Sequence, residues 1–478
     1  MKHWDWEIFN TVVTADTYTV SDCGPVFGPV IDFKIERDTD LNLILTTTSS
    51  INSTSTAIER VAGEVYQADA KVELISHTGN HAVALGVDPY RHIKTWRGRR
   101  EEGSTVEKSS IHSLEWTSHN VVAPAYVIDW VGNMASFIWP DSDNIFKEGE
   151  ERRTLKSARK EITFSTPIDS DQYSRSCAHL IIDDIEIFIG TSRAKPDHVK
   201  NPGFIMYIGT PNEETRGKIR NCLSFFLGSY LLYLGNTEFD SEWKPVKFIA
   251  KSGPALAKEV DNLSGYPPAP LHLKAENAIS ASLLEEMVSS LYKIYDTYEL
   301  QSTFWSYWHA MAAPLHMKAV HFGAAIESLQ SKFLKNTTAV RRNIIDNANI
   351  WTTLQEKISA TITATDLHED AKKILINKAI NLNSAPQSVM TERFFSALDL
   401  EIGTLEKSVW KNRNRAAHGG TTTEDDAIST IRENKVLRIM MCRILLALGG
   451  ATDLYYDYYT LGRPRRLLAK SIPDDNRT

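Results

Sequence analysis

Seven residues past the middle of the chain, Ser264-Gly265-Tyr266-Pro267-Pro268-Ala269-Pro270, constrain its fold more than any other stretch. A proline fixes its own φ and lacks a backbone N–H, so neither a helix nor a central strand runs through three of them. The apolar residues keep a different period on each side of this break. Before it, Val30–Ile35, Leu41–Thr47, Val121–Trp130, Leu180–Ile189 and Phe204–Ile208 are rich in Val, Ile, Phe, Tyr and Thr and are separated by Gly, Pro, Asn and Asp clusters, the signature of strands. Ile181, Ile185, Ile187 and Ile189 fall on one strand face, with Asp183 intruding. Thr46–Thr56, nearly all Thr, Ser and Asn, reads as a loop. Arg216–Leu234 is the segment of this half best suited to a helix.

After the break the step becomes three and four residues. Leu284, Met287, Leu291, Ile294 and Tyr298 form one stripe; Phe322, Ile326, Leu329 and Phe333 a second; Phe395, Leu398, Ile402, Leu405 and Val409 a third; Leu437, Met441, Ile444, Leu445 and Leu448 a fourth. Four such stripes argue for an α-bundle, and no internal repeat of fixed period is present. The expected architecture is α+β and multidomain: a β-rich, sandwich- or barrel-like N-terminal domain over residues 1–265, then an all-α domain over residues 266–478.

Composition excludes several classes. With 42% hydrophobic and 24% charged residues the chain is typical of soluble globular proteins. Met1-Lys2-His3-Trp4-Asp5-Trp6-Glu7 lacks the apolar core of a signal peptide, and the most apolar run, Leu223–Leu234, is too short to span a bilayer as a helix. Cys23, Cys177, Cys222 and Cys442 are scattered without metal-ligand spacing, as expected of reduced thiols in a cytoplasmic protein. Residues 1–265 carry 28 basic and 37 acidic side chains, and residues 266–478 carry 25 and 23. A protein that coats nucleic acid would be more basic, whereas a local RNA-cleaving site fits this balance. No GxSxG elbow, Walker-type loop or dinucleotide fingerprint supports an active site in the front half.

Chemistry enters at Arg413-Asn414-Arg415-Ala416-Ala417-His418-Gly419-Gly420. Histidine moves protons near neutral pH, and arginine holds phosphate through a fork of charged donors. Together they can help a ribose 2′-hydroxyl attack its own phosphodiester, a step that needs no metal or cofactor. With 25 arginines and 14 histidines in 478 residues, chance alone gives roughly one such spacing. A second occurs at Arg193-Ala194-Lys195-Pro196-Asp197-His198, where the proline argues for a loop. The two differ in setting, because Arg413 closes the third helical stripe. In an ideal helix residues five apart point roughly 140° away from each other. Either the helix stops at Gly419-Gly420, or two copies of the motif complete each other across a dimer. The competing reading is a solvated helix end with a surface salt bridge.

An all-α C-terminal domain carrying Arg-polar-x3-His after its third main helix resembles the HEPN superfamily. The match is Arg413-Asn414-x3-His418 followed by the amphipathic helix Ile428–Leu448. Phe322–Phe333, with Glu327 between Ile326 and Leu329, looks like the earlier HEPN helix that often bears an acidic residue. A β-rich front half before such a domain most resembles the ApeA-like group of bacterial antiphage proteins. The resemblance implies metal-independent RNA cleavage by a homodimer with a shared cleft, no cofactor, a phage-derived trigger, and Arg413, Asn414 and His418 as the catalytic set. Lys411 and Arg415 would flank it as RNA contacts. Glu327 would pair with Arg413, orient His418, or remain an exposed helix glutamate. Some members of the superfamily serve only as interaction modules, so a non-catalytic dimerisation or ligand-binding bundle is the alternative.

Other residues carry weaker signals. His309, His316 and His321 lie near Trp305, Trp308 and Phe322 without His-x3-His or HExxH spacing, which favours packing or an interface over a metal site. Trp96-Arg97-Gly98-Arg99-Arg100 reads as a surface loop that also has the look of a nucleic-acid contact. Asp183-Asp184-x-Glu186 reads as strand polarity rather than a metal nuclease, and Arg432, Lys435 and Arg438 as the polar face of the last helix, a face that would also suit the flank of an RNA cleft. The stripe Leu437, Met441, Ile444 and Leu448 serves either the bundle core or a dimer contact, with Phe304–Trp308 a second candidate for that contact.

Overall fold

The computed structural model describes residues 18–474 except 56–62, 64–68, 97–102, 121, 141–144, 147–150, 157–160, 167–171, 174–176, 193–197, 255–262, 264–265, 272–277, 339 and 414–426. The chain is α+β, with a β-rich first part followed by a helical one. It divides into two compact units, residues 1–267 with 271–292, and residues 268–270 with 293–478.

The strands of the first unit are, in chain order, β1 (Tyr18–Asp22), β2 (Gly28–Arg37), β3 (Leu43–Thr54), β4 (Lys71–Ser76), β5 (His81–Leu85), β6 (Asp88–Trp96), β7 (Gly103–Ile111), β8 (Ser113–Thr117), β9 (Tyr126–Val131), β10 (Ile145–Phe146), β11 (Glu151–Lys156), β12 (Glu161–Thr166), β13 (Gln172–Tyr173), β14 (Cys177–Ile182), β15 (Ile185–Thr191), β16 (Gly203–Ile208), β17 (Tyr233–Phe239) and β18 (Pro245–Lys251). Ten of them form an antiparallel sheet in the order β1-β4-β5-β8-β18-β17-β9-β16-β15-β14, and four form a second in the order β2-β3-β7-β6. Ile35, Leu43, Leu45 and Ile111 of the smaller sheet pack in one cluster with Val72, Leu74, Ala82, Leu114, Trp116 and Phe248 of the larger. Two sheets closing on one apolar layer make a sandwich.

Three details depart from the sequence expectation. Thr46–Thr56 is not a loop: β3 runs to Thr54, and Thr47, Ser49 and Ser53 turn their hydroxyls inward beside Ile51. Period-two burial survives there with small polar side chains in place of apolar ones. Leu180–Ile189 is a hairpin rather than one strand. Asp183 and Asp184 both have positive φ, 49° and 64°, and form its two-residue turn, the left-handed pair that hairpins favour. Ile181 is therefore exposed, while Ile187 and Ile189 are buried. The helix of this half, α1 (Glu213–Leu227), begins at Asn212, whose Oδ1 accepts the Thr215 N–H at 2.8 Å. It ends at Gly228, which takes the left-handed conformation at φ 68°, short of the expected Leu234.

Helix α2 (Ala281–Lys293) buries Leu284, Met287 and Leu291, and residues 281–292 group with the sheet unit. Glu285 there accepts the Ile181 N–H at 2.6 Å. The second unit contains α3 (Leu300–Ala312), α4 (Lys318–Asn336), α5 (Ala348–Ala364), α6 (Glu369–Ile380), α7 (Gln387–Ala397), α8 (Thr404–Asn412), α9 (Ala427–Gly449) and a hairpin of β19 (Leu454–Tyr456) and β20 (Arg465–Leu467). Helix α4 packs against α3, α7 and α9, burying Phe322, Ile326 and Leu329. The Lys318 ammonium donates to the Ala310 and Met311 carbonyls at 3.2 and 2.6 Å, satisfying the C-terminal end of α3. The third sequence stripe is two helices, α7 and α8, because the chain turns at Asp399, φ 55°. From Val436 to Leu446 most of α9 is buried, as befits a helix at the centre of a bundle. Leu437, Met441 and Ile444 are thus interior, as are Phe304, Tyr307 and Trp308, whereas Trp305 is 58% exposed. Among the described residues no helix is long and apolar enough to cross a membrane.

Candidate functional site at the end of helix α8

Arg413 extends the last turn of α8 with helical backbone angles. Its side chain is only 10% exposed and is held on three sides. The guanidinium lies over the Trp410 ring, 3.8 Å from its centroid, a cation–π contact. One Nη donates to the Trp410 carbonyl at 2.8 Å, and the other donates to Glu327 Oε1 of α4. Space for the arginine stem comes from Gly323, one turn before Glu327: a Cβ there would stand 3.1 Å from Arg413 Cδ. Of the five N–H donors of an arginine, two are used in this way. The buried Nε–H has no partner among the described residues, and neither has the indole N–H of Trp410.

Helix α8 is anchored below Arg413 by a buried ion pair. Two turns earlier in α8, Glu406 is fully buried and meets Arg443 of α9, also fully buried, at 2.6 Å. Arg443 further donates to the Leu468 carbonyl at 3.1 and 3.0 Å and to the Glu401 carbonyl at 2.9 Å. Glu406 also accepts the Gly403 N–H at 2.7 Å. Burial pushes the Glu406 carboxyl up, with Arg443 opposing. A buried ion pair is tolerable only with its remaining donors and acceptors met, and here those bonds tie α8, α9 and the C-terminal segment together.

Of the sequence-derived set, Arg413 and Glu327 are brought together and Lys411 is exposed on the last turn of α8. Asn414, Arg415 and His418 lie outside the described residues. Trp410 and Gly323 were not foreseen. Trp410 is at i−3 of the arginine, and that spacing was its only available signal.

The remaining candidates separate from this site. The His309 ring stacks on Trp305 at 3.6 Å between centroids, with its Nδ1 2.8 Å from the Trp305 carbonyl. His321 lies 6.1 Å from His309, and burial followed by His309 holds it below its ordinary value of 6.5. Among the described residues no group of three or more His, Cys, Asp or Glu is placed to hold a metal ion. Arg438 is not simply part of a polar face, since its Nε donates to the buried Tyr307 hydroxyl at 3.2 Å. His198, with φ 66°, sits between β15 and β16, and its partner Arg193 is outside the described residues. Trp96 ends β6 and is exposed, while Arg97, Arg99 and Arg100 are outside the described residues.

The first unit holds a second charged cluster. Asp129, fully buried in the apolar strand β9, meets Arg220 and, at 3.0 Å, Arg216 of α1. Glu213 accepts from both arginines at 2.7 Å. Burial raises the Glu213 carboxyl, but Arg220 and Arg216 outweigh it, and the net shift is downward. Arg220 also lies over the Tyr233 ring at 3.9 Å. Two cations and two anions are paired here, which ties α1 to β9. Its sequence signal was an aspartate inside the apolar run Tyr126–Val131 and two arginines four apart.

Comparison of the chain with protein-family models, with curated proteins and with solved structures gives no match.

Proposed function

We propose that the helical unit is a metal-independent endoribonuclease of HEPN type, regulated by the β-rich unit in a cytoplasmic antiphage protein that works as a homodimer. One observation carries this reading: Arg413 is held by Trp410, Gly323 and Glu327 while three of its five donors remain uncommitted among the described residues. A solvated arginine at a helix end would be mobile and mostly exposed. A charge held in advance, by contrast, costs no reorganisation when phosphate arrives. In the proposed reaction His418 acts as general acid/base on the 2′-hydroxyl or the leaving 5′-oxygen. Arg413 stabilises charge on the phosphate, Asn414 positions the phosphate or His418, and Lys411 and Arg415 contact the RNA backbone. Glu327 acts by orienting Arg413. The bond formed joins the 2′-oxygen to phosphorus and the bond broken releases the 5′-oxygen, which takes up a proton.

The Glu327–Arg413 pair also fits a second reading, in which the arginine is structural and the bundle is a non-catalytic interaction module. RNA cleavage by the full-length protein in excess EDTA separates the two. Cleavage by the wild type, loss of it in Arg413→Ala and His418→Ala, and retention in Arg193→Ala and His198→Ala support the enzyme. Intact RNA with wild-type protein under conditions that include the trigger, or full cleavage by His418→Ala, overturns it.

A further inference from the structure

Helices α3 and α4 pack against each other across the short turn between them. His309 of α3 and His321 of α4 stand six residues either side of Leu315 in that turn, so the two helices bring them level. Both are half-buried, and their ring centroids lie 6.1 Å apart. A metal ion bound by one nitrogen of each of two imidazoles, at roughly 2.0–2.1 Å, holds the ring centres about 5 Å apart at a tetrahedral angle and about 6 Å apart at a wider one. The two rings already stand at that separation. Twelve residues apart in sequence, the pair has none of the short spacings that mark a metal site in a motif; the turn creates it.

The local bonds leave nitrogens open for coordination. Nδ1 of His309 lies 2.8 Å from the Trp305 carbonyl. A carbonyl accepts and cannot donate, so in the neutral ring Nδ1 carries the proton and Nε2 keeps its lone pair. Metal-binding histidines are commonly oriented by this bond from the other ring nitrogen to a carbonyl. Trp305, stacked on the ring at 3.6 Å, fixes it further. His321 forms no hydrogen bond with a described residue. Burial, followed by His309, holds it below its ordinary value of 6.5, so its ring is neutral at pH 7. We infer that His309 and His321 form a site for Zn²⁺ or a kindred late first-row divalent ion, held by one nitrogen of each ring. Among the described residues no group of three or more His, Cys, Asp or Glu is placed to hold a metal ion, so water completes the coordination. Imidazole selects such ions over Mg²⁺ and Ca²⁺, which take oxygen ligands. The ion has no part in the proposed RNA cleavage, and the inference stands or falls independently of it.

Isothermal titration of the full-length protein with ZnCl₂, after removal of metal by EDTA and dialysis and with no histidine tag, tests it. His309→Ala and His321→Ala should each weaken one site per chain roughly a hundredfold, because a chelate loses its second contact. His198→Ala, in the other unit, should leave that site unchanged. MgCl₂ should give no heat at the same concentrations. Zinc X-ray absorption on the wild type with one equivalent of ZnCl₂ supplies a measurement that needs no variant, and two imidazoles per zinc are expected. A wild type without a zinc site at up to millimolar ion, binding unmoved by both substitutions, or fewer than two imidazoles per zinc overturns the proposal. If either variant loses helicity by circular dichroism, the wild-type absorption spectrum decides.

Discussion

Arg413 can be displaced without being touched, and this makes its neighbours informative. Glu327→Ala removes one of its anchors from a half-exposed position, so thermal stability should hold while RNA cleavage falls roughly ten- to a hundredfold, the scale of a misplaced catalytic group. Glu327→Gln keeps a hydrogen-bond acceptor and should lie between. Equal activity of all three proteins would show that Glu327 does not position the arginine. Gly323→Ala should stabilise α4 by roughly 0.5–1 kcal/mol through helix propensity, yet its Cβ would crowd Arg413 Cδ at 3.1 Å. The expected pattern for Gly323→Ala is an unchanged or raised melting temperature with lower cleavage, whereas Gly323→Leu, which overpacks a buried position, should lower both. Unaltered turnover in Gly323→Leu would argue that the stem of Arg413 need not lie there. His321 gives a test by titration. Its folded value is depressed, so the folded state resists protonation. Its contribution to stability is complete above the ordinary 6.5 and is lost as pH falls through that value towards the depressed one. His321→Gln should flatten the melting temperature between about pH 7 and pH 5 relative to wild type, and parallel profiles would contradict the assignment. The sequence made Arg413 and Glu327 visible as residue types at suggestive places. It did not make Trp410 or Gly323 visible, because a ring beneath a guanidinium and a missing Cβ matter only once two helices are packed.

Helices α8 and α9 are joined at Arg443 and Glu406, and breaking that pair should be costly. Arg443→Ala leaves a buried carboxylate without its partner and should destabilise by about 3–5 kcal/mol in urea unfolding. Arg443→Met combined with Glu406→Leu should cost less than the sum of the single changes. Strict additivity would mean that the two charges do not act as a pair. At this scale the change of period at the proline cluster was legible, as were α4 and α9, whose stripes face the bundle interior. The hairpin α5–α6 was missed for a physical reason: it buries almost nothing, so no strong stripe marks it. The third stripe concealed a turn at Asp399, since apolar residues on both sides continued the helical step by coincidence. On β3, burial is carried by hydroxyl side chains, and a pattern reader that weighs apolarity alone sees a loop.

The whole molecule joins an acidic β-rich half, residues 1–265, to a helical half, residues 266–478, whose basic and acidic side chains nearly balance, and under the proposed function RNA contact is confined to the patch around Arg413. Whether that patch breaks RNA is the central question, and the chemistry of the ends answers it most directly. In excess EDTA, RNA cut by the full-length protein should carry 2′,3′-cyclic phosphates and 5′-hydroxyls, because the nucleophile is the neighbouring ribose oxygen. His418→Ala should yield no such ends. Products with 3′-hydroxyls, or cyclic-phosphate ends produced as readily by His418→Ala as by wild type, would contradict the assignment of Arg413 and His418.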